Sequence, residues 1–277
     1  MVDQVVVVIG VGGMGQVIAR RQGPGKKLLL ADFNADGLEK TAEALRGDGY
    51  MVDTHVVDVS SRESVYALAA AAAAAGKVIQ VAHTAGLSPT QAPAEAILKV
   101  DLLGVAYVLD AFGEVIAEGG AGVVIASMAG SFAAGRFPAE VESALALTPT
   151  DQLLSLPFWA DPSFADAGTA YSVAKRANQL RVQAASLVWG ARGARVNSIS
   201  PGVISTPMGQ QELSGESGQS MRAMVEASGT GRYGTPEDIA QAASFLLGSQ
   251  ASFITGADLL VDGGVVAAVK TGALSLG

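Results

Sequence analysis

A doubly wound α/β fold, built on one parallel sheet of seven strands with helices on both faces, is predicted by three features of this 277-residue chain. Seven short apolar runs rich in β-branched residues recur along it, Ala-rich helical stretches separate them, and the runs are continuously apolar rather than alternating. A strand that is apolar at successive positions is buried on both faces, as in a parallel sheet covered by helices on each side.

The first strand, 5–9, runs into Gly10-Val11-Gly12-Gly13-Met14-Gly15, and 14–23 then reads as a helix. Glycines at a strand-to-helix turn bring backbone N–H groups and the positive end of a helix to a pyrophosphate, so Gly10, Gly12, Gly13, Met14 and Gly15 predict dinucleotide binding. The second strand, 27–31, leads to Asp32, 22 residues after Gly10, where a carboxylate can accept both ribose hydroxyls. That charge repels a 2′-phosphate and the turn carries no basic residue, which favours NAD over NADP. Together these features make the fold Rossmann-type.

Helix 35–46, strand 51–57 and helix 61–75 follow. Asp58-Val59 after the third strand reads by itself as an ordinary loop, but it shares the C-terminal sheet edge where ligands of open α/β sheets bind. The fourth strand, 78–83, ends there in His83-Thr84-Ala85-Gly86. His83 is expected to contribute only backbone, and His55, inside a strand, reads as a packed or edge histidine. Helix 92–118 carries Asp101, and strand 122–126 is followed by Ser127. Helix 168–189 sets Tyr171 and Lys175 at i and i+4 on one face, a spacing that also fits a surface pair. Strand 195–199, helix 236–247 and strand 258–261 complete the alternation. Thr235 at the cap, Pro236 at the first helical position and Glu237-Asp238 in the first turn mark a helix start.

Hydrophobic residues make up 49% of the chain and charged ones 16%, below the roughly 25% of an average soluble domain, so most of it belongs in a core or an interface. No linker or repeat divides it, and 1–277 is expected to form one domain. The net charge is −8, from 18 basic and 26 acidic residues, with no basic cluster longer than a pair, which argues against nucleic acid. The longest apolar run, 65–75, falls short of the roughly 18 residues of a membrane span. Asp3 and the first strand come at once, so no leader is read and a cytoplasmic location is expected. Zero cysteines and two histidines leave no thiolate site and no multi-histidine metal centre.

Two segments interrupt the pattern. Stretches as long as 131–167 and 208–231 are commonly lids, binding loops or disordered. Leu153, Leu154, Leu156, Phe158 and Trp159 in the first, with Met208 and Met221 in the second, fit an apolar wall over a substrate cleft. They equally fit a subunit contact or a small core of the insertion itself.

Taken together, these residues resemble the classical short-chain dehydrogenase/reductase family over nearly the entire chain. The resemblance rests on the glycine turn, Asp32, Asp58-Val59, His83-Thr84-Ala85-Gly86, Ser127 and Tyr171-x-x-x-Lys175. Further along come Arg195-Val196-Asn197-Ser198-Ile199-Ser200-Pro201-Gly202 with Thr206, Thr255-Gly256-Ala257, and Val261-Asp262-Gly263-Gly264. It implies hydride exchange between a nicotinamide and a secondary alcohol or ketone, with Tyr171 as acid/base, Ser127 on the substrate oxygen, and Lys175 lowering the phenol pKa and holding the ribose. Ile204 and Thr206 would hold the carboxamide, and the family implies a homo-oligomer, dimer or tetramer.

Three departures stand out. The glycine turn is one residue short. Asp101 stands where the family has an Asn of the proton relay, either joining that relay or pointing away into helix packing. Ser127 and Tyr171 are 44 residues apart, an insertion similar to that in the branch resembling 3α-hydroxysteroid dehydrogenase/carbonyl reductase, whose Trp-Gly stretch Trp189-Gly190 echoes. The expected substrate is therefore apolar, steroid-like or alicyclic. The alternatives are a 3-ketoacyl-type reductase and a non-catalytic dinucleotide sensor.

Overall fold

The structure is a computed structural model that describes residues 3–215 and 217–274. Seven strands form one sheet in the order β3-β2-β1-β4-β5-β6-β7, and every pairing is parallel. They are β1 (Gln4–Ile9), β2 (Lys27–Asp32), β3 (Met51–Val56), β4 (Lys77–His83), β5 (Ile116–Ile125), β6 (Arg195–Pro201) and β7 (Asp258–Val261).

Successive side chains of β1 build two separate cores. Val5, Val7 and Ile9 join Val65, Leu68, Val105, Leu109 and Phe112 of α3 (Arg62–Ala75) and α5 (Val105–Val115) on one face. Val6 and Val8 face Ile18, Leu38, Leu45, Ile239 and Leu246 of α1 (Gly13–Gln22), α2 (Ala35–Gly47) and α11 (Pro236–Leu247) on the other. Helices on both faces make this the Rossmann-like doubly wound arrangement. Since β1 pairs with both β2 and β4, the connections leave it to opposite sides and open a crevice at its C-terminal end. No helix among the described residues is long and apolar enough to cross a membrane.

The helix expected at 92–118 is three pieces. A turn at α4 (Ala94–Ile97) gives way to a π-helical segment, Leu98–Gly104, before α5, and β5 then starts at Ile116, six residues before the expected strand. Val115 and Ile116 suit helix and strand equally, so no hydropathy signal marks that boundary.

Among the described residues, both interruptions carry helices. The first contains α6 (Met128–Ala133), α7 (Ala139–Leu147) and 3₁₀ turns at Thr150–Ser155, Pro157–Ala160 and Pro162–Ala165. It ends where Asp166 caps α8 (Ala167–Ala191) by accepting the Thr169 N–H at 2.7 Å. The second holds α9 (Pro207–Ser214) and α10 (Gly218–Ala227). Leu153, Leu154, Leu156, Phe158 and Trp159 pack with Leu102, Ala106, Val173, Ala177 and Leu180 on the outer side of α8. None of these five side chains lines the cleft, and the cluster they join is shared with the π-helical segment, α5 and α8 rather than being a core of the insertion by itself. Arg181 pins it, donating to the carbonyls of Leu145 and Thr148 and to Thr150 Oγ1, which bonds Asp110.

Candidate active site

The crevice beside β1 is a cleft of about 570 Å³ lined by Gly10, Gly12, Gly13, Met14, Asp32, Asp58, Val59, Ala85, Gly86 and Thr206 among others. Ten of the residues read from the sequence thus meet on one wall.

Close packing explains the turn's glycines. Gly10 has φ +90, and a Cβ there would lie 2.5 Å from the Ala85 nitrogen. A Cβ on Gly15 would come 1.9 Å from the Gly10 carbonyl oxygen, so Gly15 seats α1 against the strand and does not line the cleft. Thr84 closes the turn by donating from Oγ1 to the Gly10 carbonyl at 2.7 Å.

Asp32 does more than wait for a ligand. Its Oδ2 accepts the Val11 N–H at 2.8 Å and its Oδ1 the Asn34 N–H at 2.9 Å, tying the glycine turn to the end of β2. Beside it Phe33 stands 75% exposed in the cleft, a residue the sequence reading missed. Its signal was an aromatic directly after the strand-end carboxylate. Among the described residues no lysine or arginine lines the cleft. At the opposite lip Thr206 caps α9, accepting the Gly209 N–H, and the Thr206 N–H returns to the Ile204 carbonyl. Ile204 itself is buried outside the lining.

An open cradle fits a dinucleotide here. A Cβ on Gly12 would meet nothing within 4 Å, and the N-terminus of ten-residue α1 opens at that point with no side-chain cap. The residues present match the group.

The titratable centre lies beyond Gly86. Ser127 caps α6 by accepting the Ala129 N–H at 3.1 Å, and Gly130 lets that helix approach α8, since a Cβ there would lie 2.8 Å from the Lys175 carbonyl. The approach brings the Ser127 hydroxyl near enough to the Tyr171 phenol to favour its ionised form. Lys175 Nζ lies 5.4 Å from the Tyr171 ring centre and 2.9 Å from Asp101 Oδ2, both ends of the ion pair being buried. Asp101 Oδ1 accepts the Leu87 N–H at 2.7 Å, so this carboxylate points into the site rather than away into helix packing.

Burial works against the Lys175 ammonium, but the Asp101 and Tyr171 charges outweigh it and hold its pKa above the ordinary lysine value. Asp101 is pushed up by burial against the pull of Lys175. Tyr171 is raised as well. Burial dominates there, Lys175 and Ser127 oppose it, and Asp101 and Glu212 add to it. The Lys175 charge lowers the phenol pKa, as the resemblance implies, and burial outweighs it. His83, expected to offer only backbone, is buried beside Lys175 and pushed down to about 3 by burial first and that ammonium second. Neither of its ring nitrogens has a partner among the described residues.

The family described as Enoyl-(Acyl carrier protein) reductase matches residues 10–147 and 152–266, its gap falling inside the insertion. Short-chain dehydrogenase/reductase bsc3 of Alternaria brassicicola is 42% identical over 267 residues, covering 96% of this chain and 97% of its own. D-threitol dehydrogenase of Mycolicibacterium smegmatis is 31% identical over 262 residues, covering 91% and 88% respectively. Among solved structures, levodione reductase superposes with a TM-score of 0.76 at 24% identity, over 97% of this chain and 99% of that one.

Proposed function

The chain belongs to the short-chain dehydrogenase/reductase family, and on that premise we propose that it is an NAD-dependent oxidoreductase interconverting a secondary alcohol and a ketone, with Tyr171 as general acid/base. The observation that carries this reading is the buried Lys175 ammonium, 5.4 Å from the centre of the Tyr171 ring, directly behind the cleft residue Gly86.

A nicotinamide dinucleotide, when bound, supplies a two-electron hydride acceptor or donor. Gly12, Gly13 and Met14 would hold its pyrophosphate, Asp32 the adenosine ribose, Asp58 and Val59 the adenine side, and Ala85, Gly86, Ile204 and Thr206 the nicotinamide half. The Asp32 carboxylate and the absence of lysine or arginine from the lining support NAD over NADP.

Ser127 would fix the substrate oxygen by hydrogen bonding, within reach of the Tyr171 hydroxyl. In oxidation the carbinol O–H proton passes to the Tyr171 oxygen as the carbinol C–H leaves with its electron pair. In reduction the Tyr171 proton completes the new hydroxyl. Lys175 stabilises the phenolate by charge, and Asp101 keeps Lys175 charged.

We read the protein as one cytoplasmic catalytic domain that forms a homo-oligomer. The exposed Phe245, Phe253 and Leu260 around edge strand β7 support self-association. With the insertion's aromatics packed elsewhere, the apolar, alicyclic character of the substrate rests on Leu87, Val100 and Met208 along the cleft.

The test is a screen of secondary alcohols graded in size, with NAD and with NADP, followed by the absorbance of the reduced nicotinamide. Turnover with NAD is expected. Turnover with neither coenzyme on any alcohol or matching ketone would overturn the reading.

A further inference from the structure

The cleft has two ends of different chemistry. Asp32 and Phe33 mark one; towards Tyr171 the lining is Gly86, Leu87, Val100 and Met208, whose side chains offer no N–H or O–H. Gln91 breaks that apolar wall, lining the cleft from an exposed position at its mouth. The hydroxyls of Thr84 and Thr206 are committed to the Gly10 carbonyl and the Gly209 N–H.

Neighbouring residues place Gln91 beside the catalytic groups. Leu87 and Ala92, on either side of the turn that carries it, pack in one cluster with Tyr171, Ile97 and Ala170. The Leu87 N–H donates to Asp101 at 2.7 Å, and a Cβ on Gly86 would lie 3.2 Å from Lys175 Nζ.

The Gln91 amide is held in one orientation. Its backbone N–H closes a turn on the Ser88 carbonyl at 2.9 Å, and Ser88, only 1% exposed, returns its own N–H to Gln91 Oε1 at 3.1 Å. Only the oxygen of the amide can accept that N–H, so Nε2 is left for α9, where it donates to Gln211 Oε1 across 3.3 Å. An amide nitrogen carries two N–H groups. The second has no acceptor among the described residues.

A substrate oxygen entering between Leu87, Val100 and Met208 sheds its water and needs a donor, because an unpaired polar atom against apolar walls is costly. The remaining N–H of Gln91 is such a donor. A carbonyl oxygen only accepts, so one N–H satisfies it, whereas a hydroxyl brings a proton that the apolar side chains cannot take. A carboxylate would meet no cation among the described residues of the lining.

Granted the oxidoreductase reading above, we infer that Gln91 is a specificity-determining residue that donates a hydrogen bond to a second carbonyl of the substrate. The substrate class is then a compact alicyclic dione, reduced at one carbonyl to the hydroxy ketone. The reacting carbonyl lies at Ser127 and Tyr171, the second reaches Gln91, and the hydrocarbon edge lies on Leu87 and Met208. The reacting carbon gains a hydride from the reduced dinucleotide, its oxygen gains the Tyr171 proton, and Tyr171 is reprotonated from solvent. The second carbonyl is unchanged.

The experiment measures kcat/KM with NADH for cyclohexane-1,4-dione and for cyclohexanone in the wild type, Gln91→Glu and Gln91→Leu. Gln91→Glu keeps the side-chain length, an acceptor for the Ser88 N–H and an oxygen that can take the Gln211 amide, while the donor becomes a second acceptor. One neutral hydrogen bond is worth about tenfold, so the dione-to-monoketone ratio should fall by about that factor or more in both variants. A ratio unmoved in Gln91→Glu overturns the assignment whatever Gln91→Leu does, since the bridge across the mouth would then be enough. Turnover of neither ketone by the wild type counts against the oxidoreductase reading instead, and Gln91 is then judged by binding. The dione should raise the melting temperature of the NADH-loaded wild type more than that of loaded Gln91→Glu, and equal shifts would refute its role.

Discussion

Lys175 and Asp101 face each other at 2.9 Å, with the Asp101 side chain fully buried and that of Lys175 nearly so. Removing one partner of such a pair leaves an uncompensated buried charge, at a cost of about 3–5 kcal/mol. In Asp101→Asn the amide oxygen can still accept the Leu87 N–H, so the fold should survive at reduced stability. Tyr171 loses a negative neighbour that raises its pKa, while Lys175 loses the one that holds its own pKa up. The acid limb of the alcohol-oxidation rate should therefore move to lower pH, and Lys175 should close the profile on the alkaline side. Profiles that superimpose on the wild type would exclude any electrostatic part for this carboxylate.

Tyr171→Phe keeps the ring that packs with Ile97 and Ala170 and deletes the hydroxyl. Turnover should fall by about 10²–10⁴-fold, the range for a positioned acid/base. NADH binding, followed by fluorescence, should stay within about threefold, because the phenol oxygen lies outside the cleft's lining. Near-wild-type turnover in this variant would remove Tyr171 from the chemistry.

Asp32→Ala should act twice. Losing the carboxylate removes the repulsion of a 2′-phosphate, so the NAD-to-NADP preference should drop at least about tenfold in kcat/KM. The Val11 and Asn34 N–H groups lose their acceptor as well, and urea denaturation should record a loss of about 1–3 kcal/mol even without coenzyme. Unchanged stability would mean that those two bonds are replaced by water.

The buried His83 makes stability depend on pH. Its pKa is about 3 in the folded state against the ordinary 6.5, so the unfolded chain binds the extra proton and stability falls as pH drops below 6.5 towards 3. Within that window the loss approaches about 1.4 kcal/mol per pH unit. Urea midpoints between pH 6.5 and 5 should show this slope in the wild type and a shallower one in His83→Asn. Equal slopes would mean that the imidazole is already charged in the folded protein.

Much of this was readable in the residues because the signals are local. Four valines and an isoleucine in a row cannot be half exposed, and Tyr171 and Lys175 one helical turn apart must share a face. The unread part depends on what lies across from a residue. Five large apolar side chains in 153–159 announce burial but not the outer side of α8 as the surface that buries them. The direction of the Tyr171 pKa depends on desolvation, which the sequence spacing to Lys175 does not contain.

The π-helical stretch at Leu98–Gly104 acts as a phase shifter. Each residue turns an α-helix by about 100°, so the wider turn offsets everything before it from everything after it. Upstream, Ala94 and Ile97 point to Tyr171; downstream, Val105, Val108 and Phe112 point to the sheet; Asp101 sits at the join. One rod thereby serves two surfaces that uninterrupted winding would put out of step. Asp101 apart, a substitution within 98–104 need only fit its own pocket. Deleting one residue would let the helix rewind and force a choice between the carboxylate under Lys175 and the aromatic in the core. The count of residues here is held more tightly than their identity.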